Sequence, residues 1–199
     1  MSKVDKNMII NICIDIIRKD GISCVNARRI AKELNCSTQP IYYIYKNMDE
    51  LKNDINKELV NIYYNYLFND SVLYKDIGKN YIKFAREEPN IFKILFNGDN
   101  VMLDITSKNS SIDKVYELIS KQTGLSIKDA EIFHLKMWLY VNGIANLVAN
   151  KTLDFNEKEI DKLLSEQYIS MLLWEYKKGK ISKKIVNMVI KDKIGKGEL

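Results

Sequence analysis

Proline is nearly missing from this sequence: there are two in 199 residues, Pro40 and Pro89, and both stand where a helix could begin. Glycine is scarce too, at eight. With so few breakers, the long stretches rich in Leu, Ile, Lys, Glu, Asn and Tyr favour helices joined by short connections. Strand-like alternation persists nowhere, so the expected fold class is all-α. Histidine occurs once, as His134, which argues against a metal centre built on several imidazoles and leaves His134 as a structural or surface residue. Cys13, Cys24 and Cys36 are odd in number and lack ligand-like spacing, so neither a disulfide framework nor a zinc site is expected; they read as small packing residues. No stretch approaches the roughly 18 apolar residues of a membrane span, and MSKVDKNMII lacks the pattern of a secretory leader. A cytoplasmic protein without a membrane span is the expectation. No nucleophile and base spacing, metal cluster or phosphate loop stands out, so neither an enzyme nor a cofactor is expected.

What is present is ample apolar content, 46% of the chain, and an uneven distribution of charge. Residues 1–50 carry eight Lys/Arg against six Asp/Glu, residues 51–176 fifteen against eighteen, and residues 177–199 eight against two. Basic ends around a slightly acidic body suit a polyanionic partner.

Ile9, Cys13, Ile16 and Ile17 fall on one face of a helix over about 4–19, closed by Asp20-Gly21. Asn26 is a suitable N-cap for a second helix over 27–34, with Ile30, Ala31 and Leu34 inward. A tight turn at Asn35-Cys36 follows, and Ser37 can cap a third short helix through Tyr43 with Pro40 in its first turn. Two short helices joined by a tight turn spell a helix-turn-helix, with Ile30, Ala31, Leu34, Cys36, Ile41 and Ile44 as its small core. From Asp49 onward, Leu51, Ile55, Leu59, Ile62 and Tyr66 mark a long helix, and Tyr74, Ile77, Tyr81 and Phe84 mark another. Pro89 restarts the chain into IFKILF, NGDN reads as a turn, and a helix resumes near Ile112. Ser126 caps a long helix over 127–150, and another covers about 156–176. The tail places Ile181, Ile185, Met188 and Val189 along one face among lysines, which reads as a terminal packing helix.

Residues 26–51, NARRIAKELNCSTQPIYYIYKNMDEL, resemble the DNA-binding signature of the tetracycline-repressor (TetR) family. The shared features are an Arg-x-Ile-Ala-x-Glu second helix, a turn ending in Ser, a third helix ending in Tyr-x-x-aromatic, then Lys-Asn and an acidic-Leu start. FAREEPNIFKILF and WLYVNGIANLVAN look like segments of that family's regulatory domain. Asn35 stands where many relatives have glycine, and Asn tolerates the left-handed conformation such a turn needs. The resemblance implies a bacterial, dimeric transcriptional repressor. Its helix-turn-helix domain would span 1–47 and its helical ligand-binding and dimerisation domain 48–199.

A recognition helix enters the major groove by its N-terminal residues, so Thr38, Gln39 and Pro40 are the expected base readers, Gln39 as the bidentate partner of adenine, with Ser37 beside them. By resemblance, Tyr42 and Tyr43 contact backbone or base edges, Lys46 meets a phosphate, and Arg28 with Asn26 clamps the flanking strand. One helix-turn-helix covers one half-site of double-stranded operator DNA, so a homodimer is expected. Phe133, Met137, Tyr140, Ile144 and Leu147 make one apolar stripe; Trp138, Val141, Ala145 and Val148 make another. One stripe serves the core and the other a partner. The expected dimer face is Val141, Ala145, Val148, Leu164, Met171 and Trp174, in the intermolecular four-helix bundle that the resemblance implies. Tyr63, Tyr66, Tyr74, Tyr81, Phe84, Phe92, Phe96, Met102, Tyr116 and Trp138 are the expected lining of a pocket for a small apolar or amphipathic effector. The competing expectation is a DNA-associated regulator controlled by a protein partner.

Overall fold

The computed structural model describes residues 4–68, 73–96 and 110–195. Among the described residues there are ten α-helices and no strand, as the scarcity of breakers implied. They are α1 (Lys6–Asp20), α2 (Ala27–Glu33), α3 (Gln39–Ile44), α4 (Met48–Phe68), α5 (Tyr74–Glu87), α6 (Pro89–Phe96), α7 (Ser110–Thr123), α8 (Ile127–Ala149), α9 (Glu157–Lys177) and α10 (Lys183–Gly195). No described helix is long and apolar enough to cross a membrane. The expected turn at 97–100 lies outside the described residues, as does Met102.

The chain forms two compact units: Met1–Tyr66 with Phe84–Ile105, and Leu67–Lys83 with Thr106–Leu199. Their limits fall inside α4 and α5 rather than at the expected 47/48 boundary. The physical reason is packing: α1 packs on both α2 and α6, so the N-terminal helices share a core with a segment far along the chain.

In the first unit, Asp5 caps α1 by accepting from the Met8 N–H at 2.8 Å, and Gly21 ends it at φ 86°. Ile9, Cys13, Ile16 and Ile17 are buried as the period required, and burial raises the Cys13 thiol to about 12, which makes it an inert packing group. In α4 the buried positions are Leu51, Ile55, Leu59, Tyr63 and Leu67, a register of fours that replaces the expected Ile62 and Tyr66. Tyr63 packs edge-on against Phe84 and Phe96 at 5.5 and 5.3 Å between ring centres, and Phe92 lies 5.0 Å from Phe96.

In the second unit, Ser126 caps α8 through the Asp129 N–H at 3.1 Å, and Asn156 with Glu159 forms a capping box at the start of α9. α7 packs on α8, α8 on α9, and α9 on α10. Gly78 of α5 lies where a Cβ would stand 3.6 Å from Leu164 and 3.7 Å from Val141, which places those two residues inside the unit. Ile181, just before α10, is buried as expected and Val186 seats the helix, while Ile185 and Val189 are half-buried and Met188 points outward at 57% exposure.

Candidate nucleic-acid interface

The site is built on three short pieces of the first unit. Asn26 Oδ1 accepts from the Arg29 N–H at 3.0 Å and fixes the start of α2. Asn35 takes φ 50°, the left-handed turn that its side chain tolerates, and the Cys36 N–H closes back on the Ala31 carbonyl at 3.0 Å. α3 then begins at Gln39 with Thr38 preceding it; no side-chain bond caps it, so the expected cap by Ser37 does not form. Pro40 in the first turn costs no hydrogen bond that the helix would otherwise make. Asn47 and Glu50 secure the next helix, Asn47 Oδ1 accepting from the Glu50 N–H and Glu50 accepting from the Lys46 N–H, each at 2.9 Å.

One face of α3 is anchored. Ile41 is 1% and Tyr45 2% exposed, with the Lys6 ammonium 5.5 Å from the Tyr45 ring centre. Burial, with the Asp54 carboxylate beside it, pushes the Tyr45 phenol to about 12. Lys6 and Lys57 hold the Asp54 carboxyl at about 2, through contacts of 2.6 and 3.0 Å. Tyr45 is legible as the last aromatic of a motif but not as a wedge, because Lys6, which lies against its ring, is far away in sequence.

The opposite face is open. Tyr43 is 89% and Tyr42 52% exposed, Ser37 and Gln39 are exposed, and Thr38 and Pro40 are half-buried beside them. Of the expected helix-turn-helix core, Ile30, Ala31 and Ile41 are buried, whereas Leu34, Cys36 and Ile44 are only partly covered.

The expected phosphate contacts divide. Arg28 and Lys46 are exposed and, among the described residues, have no ion-pair partner. The same holds for Lys32, one helical turn beyond Arg28, which no motif marks although the i, i+4 spacing puts both on one face. Arg29 is engaged with Glu33 at 2.8 Å and Asp20 at 2.9 Å. Asn26 keeps its place at the surface, but its carbonyl oxygen is occupied by capping and its amide lies 3.3 Å from the Cys24 carbonyl oxygen. It positions α2 and has little left to offer a phosphate.

The aromatic residues expected to line one pocket fall in both units. Tyr63, Tyr66, Phe84, Phe92 and Phe96 belong to the first, where Tyr63, Phe84 and Phe92 are core and the half-buried Tyr66 and Phe96 pack their rings against them. Tyr81, Tyr116 and Trp138 belong to the second, together with Tyr74. There the Tyr74 hydroxyl and His134 Nδ1 stand 2.9 Å apart, with the Tyr116 ring 5.7 Å from the imidazole. The Tyr81 hydroxyl donates to Asn142 Oδ1 at 2.8 Å. Burial lowers His134 to about 4 and drives the Tyr74 and Tyr81 phenols far above their ordinary range. The cluster around Tyr74, His134 and Tyr81 is thus polar but uncharged at neutral pH, whereas the buried Glu175 elsewhere in this unit is paired with lysines. No group of His, Cys, Asp and Glu able to hold a metal occurs among the described residues.

The expected dimer face needs correction. Val141, Ala145, Val148, Leu164 and Met171 are buried within the single chain, at 4, 0, 6, 1 and 9% exposure, because that side of α8 and α9 covers the unit's own core. Trp174 alone of the six is open, at 56%. The uncovered apolar stripe on α8 is instead Ile132, Leu135, Leu139 and Leu147, with Gly143 in the gap, where a Cβ would meet nothing within 4 Å.

No protein-family model, curated protein or solved structure matches this chain.

Proposed function

We propose that this chain is a homodimeric DNA-binding transcriptional regulator of the tetracycline-repressor kind, a repressor released from a palindromic operator by a small apolar or amphipathic effector. The observation that carries this reading is α3. A six-residue helix buries Ile41, and Tyr45 anchors its end, while Gln39, Tyr42 and Tyr43 are turned outward. A helix so short is not stable on its own. Holding it rigidly with a polar, aromatic face to solvent suits reading base edges by its first residues and meeting the sugar-phosphate backbone by the tyrosines. Arg28, Lys32 and Lys46 supply the cations such contacts require.

The α8 stripe supports a second copy as partner. Such an interface is self-complementary, and a glycine among leucines allows two helices to approach closely at their crossing. An alternative occupant, a different protein, is separated from it by sedimentation of the purified chain: a dimer at micromolar concentration supports self-association, and a monomer that pairs only with another protein supports the alternative. For the effector, the neutral Tyr74, His134, Tyr81 and Asn142 groups favour an uncharged molecule with hydrogen-bonding capacity. Such a molecule shifts the DNA-binding equilibrium only by its differential affinity for the two states of the dimer.

The test is selection from random duplex DNA by the purified protein, then titration of the enriched sequence at two salt concentrations. An inverted repeat bound with steep salt dependence supports the proposal; an intact dimer that enriches nothing overturns it.

A further inference from the structure

Glu88 is the single residue between α5 and α6, and it is 8% exposed. Both of its carboxylate oxygens engage Arg18 near the end of α1. Arg18 Nε donates to Oε1 and Oε2 at 3.0 Å each, and Nη2 donates to Oε1 at 2.8 Å. Two residues further on, Asn90 Nδ2 donates to the carbonyls of Ile17 and Arg18 at 3.2 and 2.9 Å. Those carbonyls belong to the last turn of α1, where that of Ile17 also accepts from the Gly21 N–H at 3.0 Å and the last carbonyls run out of helical donors. The start of α6 therefore grips the end of α1 at two kinds of group, a guanidinium and a pair of carbonyls, on either side of Pro89. α1 in turn carries α2 by direct packing and α3 through Lys6 and the Tyr45 ring.

Stability alone accounts poorly for this arrangement, since the Arg18 side chain is 43% exposed and an ion pair open to solvent on one side contributes little. A planar fork meeting a carboxylate adds direction: it fixes an angle as well as a distance. We propose that Glu88 is a positioning residue for DNA reading, fixing through Arg18, and with Asn90, the pitch at which α6 carries α1 and the two helices after it. This rests on the reading of α3 as the DNA-facing helix.

Electrostatics and positioning predict opposite results for Glu88→Gln. Loss of a negative charge by itself strengthens binding to a polyanion. Loss of the joint's geometry weakens binding to the matched sequence only. The experiment takes the operator selected by the wild-type protein and a scrambled duplex of the same length. It titrates wild type, Glu88→Gln and Arg18→Lys on both, well below each variant's unfolding midpoint. Arg18→Lys keeps the charge and removes the fork, so it decides the matter if Glu88→Gln does not fold. The expected result is an operator affinity lower by about tenfold for each variant, within what residues touching neither ligand contribute, with no loss on the scrambled duplex. Unchanged operator affinity, or an equal loss on both duplexes, overturns the inference while the DNA-reading proposal stands. A wild-type protein that selects no sequence overturns both.

Discussion

In the first unit, ion pairs join the helices, Arg18 with Glu88, Arg29 with Asp20 and Lys6 with Asp54, beside the neutral Asn90 amide on the end of α1. The second unit also carries ion pairs, Lys75 and Lys79 with Asp161 among them. Around Tyr74 and Tyr81, however, the paired groups inside it are neutral, the Tyr74 hydroxyl with the His134 imidazole and the Tyr81 hydroxyl with the Asn142 amide. Charged forks suit a region that must present one surface at one angle to a charged partner. Neutral networks suit a region whose interior changes its contents without carrying an ion into a low-dielectric space. The comparison therefore matches the division of labour proposed above.

The largest effect is expected at the outer face of the second unit. Leu139→Lys places a charge in the middle of the α8 stripe, and with Leu139 58% exposed in the single chain the fold tolerates it. Dimerisation should weaken by about a hundredfold or more, roughly 3 kcal/mol, measured by sedimentation; an unaltered dimer removes α8 from the interface.

Next comes the neutral interior. The unfolded chain takes up a proton on His134 near 6.5, and the folded chain only near about 4. Stability is therefore intact above about 6.5, falls as pH drops between those two values, and loses up to about 3 kcal/mol in all from this residue. Urea melts across that window should show the slope, and His134→Gln should flatten it. Asp54, held at about 2 by Lys6 and Lys57, acts separately: its contribution is present above the ordinary carboxylate range and is lost below it, so the two regions titrate in different windows. A melt independent of pH from 6.5 to 4 in the wild type would break the contrast between a neutral interior and a charged one.

On the proposed DNA face, Gln39→Ala should relax sequence preference by about 1–3 kcal/mol at the base it would read. Lys46→Ala should weaken all duplexes alike and lower the salt slope by about one. If both variants affect matched and random duplexes equally, base reading and phosphate positioning are not divided as proposed.

The smallest effect contrasts two backbone positions. Each unit has one described non-glycine residue in the left-handed region, Asn35 at φ 50° and Lys151 at φ 55°. Asn suits that conformation and Lys does not, so Lys151→Gly should raise the unfolding free energy by about 1 kcal/mol and Asn35→Gly by much less. Equal gains at both sites would show that side-chain type is irrelevant to either turn.

Local chemistry made much of this fold readable. Asp20-Gly21, Asn26, Ser126 and Asn156 end or begin helices as their hydrogen-bonding capacities require. Faces were harder. α8 is apolar on two sides, and nothing local shows that Val141, Ala145 and Val148 turn inward while Leu135, Leu139 and Leu147 remain open. In α4, isoleucine and tyrosine at neighbouring positions leave a register of 62 and 66 as acceptable as the observed 63 and 67. The Arg18 joint was invisible for a different reason. Its partners are 70 residues apart, and no periodicity relates positions that meet only after the chain has returned.

That return has a practical meaning. Phe84, Ile91, Phe92 and Leu95 are fully buried in the unit that holds α1 to α3, though more than thirty residues separate them from Leu51. The unit is discontinuous in the gene. A chimaera that grafts residues 1–47 onto another body transfers α3 without half of the core that supports it. The transplantable module is residues 1–66 together with the segment from Phe84, and a recombination event or an engineer who exchanges only the contiguous head inherits a frame with one wall missing.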